Sequence, residues 1–349
     1  MTMDAAKTTE FAGGVRRPFR LRAVLLRPEL TAFVGVIVVF AFFALTAGGS
    51  GFLTFTGTKN YLQVAAEIGI LATPVTLLLV AGEFDLSVGT MIAAGGIAVA
   101  FPISFLHWPL WASICSGLAV AGIVGAANGF LVLRLGMPSF LATLGMMFFL
   151  RGATLGLTLM LTGATQIFRL KESLAGDPLL PFFSGTPLGL PVAIYWWLAS
   201  VAVAAYILAS TRWGNWIYAS GGDREAAVKM GIPVGRLKVT LYILTAISAV
   251  VVAMVEMFYV DITDVTQGLG KEFEAITAAV VGGAAISGGI GSPVGTALGT
   301  LMFGMISQGF FYTEINDNWY YAFVGAMLVA VVTINSYTRR AAMRQARSK

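Results

Sequence analysis

Gly214–Pro233 reads GNWIYASGGDREAAVKMGIP, a polar island between two long apolar segments of the chain. Asp223 is placed to cap a short helix, Arg224 to Met230. Gly231 stops that helix, and Pro233 lies just beyond it. An Asp side chain accepts the free N–H groups of a helix start, and Gly takes the left-handed conformation of a helix end. The flanking runs are long and apolar enough to cross a bilayer. A capped helix kept on the surface of such a chain points to a soluble partner on one face of the membrane.

Working outward, the composition fits the same reading. Of 349 residues, 57% are hydrophobic and 11% charged, where a soluble domain carries about a quarter charged residues. The mean hydropathy is +0.83. The apolar segments are continuous and do not alternate, so an all-α polytopic membrane protein is expected and a β-barrel is not. The 41 glycines suit close helix packing. One cysteine, Cys115, precludes an internal disulfide framework, and the lone histidine, His107, falls at a helix junction. No small-residue cleavage site closely follows the basic N-terminal tail, so no cleavable signal is expected.

Ten spans are read at 30–47, 61–81, 87–106, 110–133, 139–161, 192–211, 238–260, 274–288, 294–312 and 319–337. They form one transmembrane domain over 30–337, with a cytoplasmic tail at 1–29 and a basic tail at 338–349. With an even number of spans, both tails and the 212–237 loop share a side. That side collects Arg134, Arg212, Arg224, Lys229, Arg236, Lys238 and the tail cations, leaving Lys59, Arg151, Arg169, Lys171 and Lys271 elsewhere. Cytoplasmic loops carry the excess of Lys and Arg, so both termini and the polar island are expected in the cytoplasm. The net charge of +5 is then an orientation signal and not a mark of nucleic-acid binding. The opposite face carries a longer Pro-containing loop, 162–191, read as an irregular external cap. Its Asp177, with Asp261, Asp264 and Glu272 of the 261–273 loop, is open to two readings: docking a basic partner, or ordinary solvation.

Val88-Gly89-Thr90 recurs as Val294-Gly295-Thr296, with Glu67 and Glu274 at matching distances upstream. This is either an internal repeat, as transporters often have, or chance in a Gly- and Ala-rich chain. In the segment Ala81–Gly89, Glu83 and Asp85 precede Ser87, which is placed to cap the next helix. If 82–87 and 288–293 are re-entrant, their unpaired backbone must line protein or water, and the two carboxylates border a polar pathway. If they are simple turns, the carboxylates only face solvent. Asn128 and Arg151 are polar groups inside spans, where a charge usually faces the bundle interior. Arg151 is read either as scaffold or as a hydrogen-bond donor to solute. Glu83, Asp85, Ser87, Asn128 and Arg151 are the candidate pathway residues. Phe148, Phe149, Trp196, Trp197, Phe258 and Tyr259 either stack on a sugar ring or anchor span ends. No phosphate-binding G-x-x-x-x-G-K-[ST] loop, H-E-x-x-H metal site or Ser-His-Asp set is present, so neither ATP hydrolysis nor another enzymatic activity is expected of this chain.

Three motifs in order resemble those of the permease subunits of ribose-type bacterial ABC importers. Gly82–Gly89 is similar to G-G-x-D-L-S-V-G, with Glu83 in place of the second Gly. Gly221–Ile232 is similar to G-x-N-x-x-A-A-x-x-x-G-I, with Asp223 in place of Asn. Val280–Gly283 with Ser287–Thr296 is similar to V-x-G-G-x-x-x-x-G-G-x-G-S-x-x-G-T. The resemblance covers nearly the whole chain after the N-terminal tail. It implies a sugar-transporting permease of the bacterial inner membrane, with Asp223, Arg224, Glu225, Ala226, Ala227, Val228, Lys229, Met230 and Gly231 as its coupling helix. It further implies a second permease chain, two cytoplasmic ATPase subunits that carry ATP and Mg, and a periplasmic solute-binding protein. No cofactor is expected on this chain. The competing expectation is an ATP-independent secondary transporter or channel for a small polar solute.

Overall fold

The computed structural model describes residues 28–313 and, beyond them, only positions 319, 320, 322–326, 329 and 333. The tails at 1–27 and 338–349, the loop acids Glu314 and Asp317, and most of the span at 319–337 lie outside the described residues. Five long helices come first: α1 (Pro28–Ala47), α2 (Phe55–Val80), α3 (Val88–Leu106), α4 (Leu110–Leu133) and α5 (Ser139–Thr162). A strand β1 (Gln166–Phe168) and two four-residue helices, α6 (Leu170–Ser173) and α7 (Pro181–Ser184), lead to α8 (Val192–Ser210). Then follow α9 (Arg212–Gly222), α10 (Arg224–Lys229), α11 (Val234–Val260), β2 (Ile262–Asp264), α12 (Lys271–Val281) and α13 (Pro293–Phe311).

Eight of the described helices are long and apolar enough to cross a membrane. Eight of the ten expected spans coincide with one of them within about six residues at either end, and α4 matches its expected bounds. The segment expected to span 274–288 does not do so in helical form. Its helix, α12, has 11 residues, or about 16 Å against a hydrocarbon core of about 30 Å. The apolar run continues through Gly282 and Gly283, but the chain leaves the helix there and stays irregular to Ser292.

Helix α2 is the axis of the bundle. All but a few of its residues are buried, because it is apolar on every side and is covered by α8, α11, α12 and α13. Small residues set these contacts. At Gly125 on α4, a methyl group would lie 2.7 Å from the backbone nitrogen of Ile243 on α11. Gly304 on α13 meets the Tyr61 carbonyl oxygen of α2 just as closely.

The 162–191 segment is the irregular cap that was expected. It is fastened by antiparallel pairing of β1 with β2, Gln166 opposite Asp264 and Phe168 opposite Ile262. Two acidic residues considered for docking a partner are used within the chain. Asp177 Oδ2 accepts from the Leu110 N–H at 2.9 Å, tying the cap to the start of α4. Asp261 Oδ1 accepts from the Lys171 N–H at 2.8 Å.

Candidate functional site: a capped helix on a glycine junction

The capped helix forms as the residues dictate. Asp223 is extended (φ −152°, ψ 101°), and its Oδ1 accepts from the Ala226 N–H at 2.9 Å. The helix runs Arg224–Lys229 with Met230 as its C-cap. Gly231 follows at φ +81° and lets Ile232 donate back to the Ala227 carbonyl at 3.1 Å. Only Ala227 is buried, against the bundle; Arg224, Glu225, Val228, Lys229 and Met230 are exposed, and Ala226 is half-buried. Two bounds differ from expectation. The segment before the cap is itself a helix, α9, hidden in the sequence by its glycines, and α11 begins at Val234, inside the loop expected to run to 237.

Beneath the cap the three motifs meet. Gly221 at the end of α9 lies against the Val80 carbonyl oxygen at the end of α2, and a methyl group there would sit 2.7 Å from the Gly289 nitrogen. Gly288 has φ +80°, and a methyl group on it would lie 2.8 Å from the Gly221 carbonyl oxygen and 2.9 Å from the Gly82 Cα. The Gly289 N–H donates to the Val80 carbonyl at 2.8 Å, and the Tyr218 hydroxyl donates to the Gly291 carbonyl at 2.9 Å. Only Gly lets three backbones approach this closely, and Gly adopts positive φ without steric penalty.

The 82–87 segment is no solvated turn. Glu83, Asp85 and Ser87 are all buried. Three residues of α11 on one face, at i, i+4 and i+7, hold three consecutive residues of the segment. Lys238 Nζ donates to Glu83 Oε1 at 2.6 Å, Tyr242 donates to the Phe84 carbonyl at 3.2 Å, and Thr245 donates to Asp85 Oδ2 at 2.6 Å. Asp85 Oδ1 also accepts from the Ser87 N–H at 3.0 Å and hydroxyl at 2.6 Å. Asn128 of α4 donates to that hydroxyl at 2.8 Å. From α5, Ser139 accepts from the Phe84 N–H and Thr143 from the Leu86 N–H. Backbone without helical partners is thus satisfied by side chains of α5 and α11 and by Asp85 itself. Lys238, counted above among the solvated loop cations, is an internal ion pair with 3% of its side chain exposed.

Glu83, Asp85, Ser87 and Asn128 therefore belong to one network, and Arg151 does not. Arg151 lies half-buried on α5 beside a crevice lined by Thr90, Thr154, Thr266 and Gln267. A second polar set lies on the far half of α2. Lys271, at the start of α12, is half-buried and 3.6 Å from the buried Glu67 Oε2, and Gln63 donates to Glu67 Oε1 at 2.7 Å. Lys271 is thus not a loop cation either. The aromatic candidates do not converge. Trp196 donates to the Phe182 carbonyl and stacks on Phe183 at 5.6 Å, Trp197 and Phe258 are core residues, and Phe148 and Phe149 are exposed on α5. A cavity of about 240 Å³ between α2, α8 and α11 is lined chiefly by apolar side chains, among them Leu77, Val203, Leu244 and Val251. The α11 stripe Lys238, Tyr242, Thr245 was missed in sequence, although three polar groups at helical spacing in an apolar span are its readable signal.

Comparison with known proteins identifies the family. The family model described as the permease component of a branched-chain amino acid transport system matches residues 57–332. The ribose import permease protein RbsC of Escherichia coli strain K12 is 31% identical over 328 residues, covering 94% of this chain and 98% of that protein. The fructose import permease protein FrcC of Rhizobium meliloti is 29% identical over 320 residues, 90% and 87% of the two chains. The xylose transport system permease protein XylH of Escherichia coli strain K12 is 27% identical over 362 residues, 87% and 91%. No solved structure matches. The chain belongs to the family of branched-chain amino acid transport system permease components, as a multi-pass inner-membrane transport subunit whose ATP hydrolysis lies on separate subunits.

Proposed function

We propose that this chain is the transmembrane permease subunit of an ATP-binding-cassette importer for a monosaccharide or closely related polyhydroxylated solute. Its relatives' names supply the solute class: ribose, fructose and xylose. Two permease chains form the pathway, two ATPase subunits holding ATP and Mg bind on the cytoplasmic face, and a periplasmic binding protein delivers solute outside. The helix Arg224–Lys229 is the docking element for the ATPase. The observation that carries this reading is the exposed, capped helix seated directly on the junction of Gly82, Gly221 and Gly288, where α2, α9 and the loop before α13 meet. A force applied to α10 reaches three parts of the bundle through backbone contacts with no flexible side chain between them.

The 82–87 network acts in this reading as the internal fastening of the bundle and not as a solute-contacting surface, because the carboxylates of Glu83 and Asp85 are already engaged by Lys238, Ser87 and Thr245. Arg151, beside Thr90, Thr154 and Gln267, is the remaining polar candidate for the pathway.

The test is reconstitution. Membranes expressing the permease, ATPase and binding protein are expected to take up labelled monosaccharide only with ATP inside, and the permease is expected to co-purify with its ATPase. Substitution of Arg224, Glu225 and Lys229 together by Ala should abolish co-purification while leaving the permease folded. Uptake by the lone permease without ATP would overturn the proposal in favour of a secondary transporter or channel.

A further inference from the structure

The two arms of the capped helix grip the same short segment from opposite sides. On the N-terminal arm, Gly221 lies against Gly82: a methyl group on Gly82 would be 3.5 Å from the Gly221 Cα. On the C-terminal arm, α11 starts five residues after Lys229, and its first internal polar residue, Lys238, pairs with Glu83 at 2.6 Å. Gly82 and Glu83 are adjacent. The loop that carries α10 therefore closes around them, with a glycine contact on one side and a buried ion pair on the other. Tyr242 and Thr245 continue the second grip to Phe84 and Asp85.

Glu83 stands where the motif it resembles has Gly, so this chain carries at that position a carboxylate that pairs with Lys238 of α11. An isolated buried charge is strongly unfavourable, and a buried pair gains little over apolar residues of equal volume. Stability alone does not account for keeping Glu83 and Lys238 where packed apolar groups would serve as well. A buried pair does specify one relative position of the two backbones, because sliding either by a turn would strand two charges.

We infer that the Glu83–Lys238 pair is a positioning clamp: it locks the start of α11 to the 82–85 segment so that α10 and α3 move as one rigid unit when an ATPase acts on α10. The inference rests on the proposed docking of an ATPase at Arg224–Lys229. It assigns Glu83 and Lys238 a role in transmitting motion and none in contacting solute. Asp85, Ser87 and Asn128 extend the clamp from α3 to α4.

The experiment uses the assembled transporter in lipid, with Cys115 replaced by Ser. Spin labels on one permease chain are placed at exposed Val228 and Leu106, reporting α10 against α3, and at Val228 and Val38, reporting α10 against α1, which among the described residues makes no hydrogen bond to the 82–87 segment. On adding ATP with hydrolysis blocked, the 228–38 distance is expected to shift and the 228–106 distance to stay fixed. In E83G/K238M, which removes both charges and strands neither, the 228–106 distance is expected to shift or broaden on the same addition. If that double variant does not assemble, E83Q/K238M also removes both charges while keeping the side-chain volume, and is expected to loosen the same distance. A fixed 228–106 distance in the variants, or a shifted one in the parent, overturns the clamp. A parent 228–38 distance that ignores ATP instead overturns the docking at α10 on which the clamp rests.

Discussion

The hydroxyl oxygens of Thr76 on α2 and Thr296 on α13 lie 2.7 Å apart, and both residues are buried. Thr76 also lies within reach of the Ala72 carbonyl and Thr296 of the Ser292 carbonyl, so one hydroxyl donates to the carbonyl of its own helix while the other donates across to it. Interhelical bonds of this kind contribute about 0.6 kcal/mol on average and up to about 1.7 in membranes. A double-mutant cycle of Thr76→Val and Thr296→Val is expected to give a coupling energy in that range by reversible unfolding in mixed micelles. Strict additivity would show that the pair holds nothing together.

Gly221 and Gly222 are neighbours with opposite surroundings. A methyl group on Gly221 would collide with the Val80 carbonyl and the Gly289 nitrogen, whereas nothing lies within 4 Å of one on Gly222. Gly221→Ala is expected to abolish the yield of monodisperse protein, because the collision is with backbone that cannot swing aside. Gly222→Ala is expected to leave yield and uptake unchanged. Size-exclusion profiles of the two variants, run side by side, decide it.

Loss of the α10 cap should appear at the partner and not in the fold. Asp223→Ala removes the acceptor for the Ala226 N–H, and such a loss destabilises a helix start by about 1 kcal/mol. The helix has six residues, so this is a large part of its local stability. Asp223→Ala is expected to reduce ATPase co-purification severalfold with unchanged thermal stability, and Asp223→Asn, which still caps, to restore it. Equal retention of the ATPase by both variants would contradict this account.

Asp85 accepts from two donors on Ser87 and one on Thr245. Asp85→Asn replaces an oxygen by an NH₂ group at a position surrounded by donors. Hydrogen bonds to charged groups contribute about 1.5–3 kcal/mol, so the variant is expected to lower stability by about 2 kcal/mol. The companion Thr245→Val leaves one carboxylate oxygen without its donor and should lower it by a similar amount. A thermal melt followed by tryptophan fluorescence checks both.

The long helices were legible because a continuous apolar run of twenty or so residues has one stable form in lipid. The capped helix was legible because Asp223, Gly231 and Pro233 act locally. The eighth expected span failed for the same reason the others succeeded. Apolar composition over 274–288 says that the segment is buried and not that it is helical, and Gly282 and Gly283 release it once protein surrounds it. The 82–87 network was half legible: its acids were visible, but their partners Lys238 and Thr245 lie more than 150 residues away. Lys238 in particular read as one more orientation charge, since sequence cannot distinguish a cation in solvent from one that has found its acid.

The short helix α12 carries a consequence for how the molecule is made. A helix of 11 residues followed by irregular backbone from Gly282 to Ser292 is too short to cross the hydrocarbon core as a helix and leans on other elements. The Gly289 N–H depends on Val80, and Gly282 packs on Gly295 and Gly288 on Gly221. Such a segment has no stable resting place in lipid alone. During synthesis it waits until α2 and α9, made more than fifty residues earlier, present their surfaces. The 271–292 segment is thus seated by the helices made before it, and an error in those helices becomes an error in its seating.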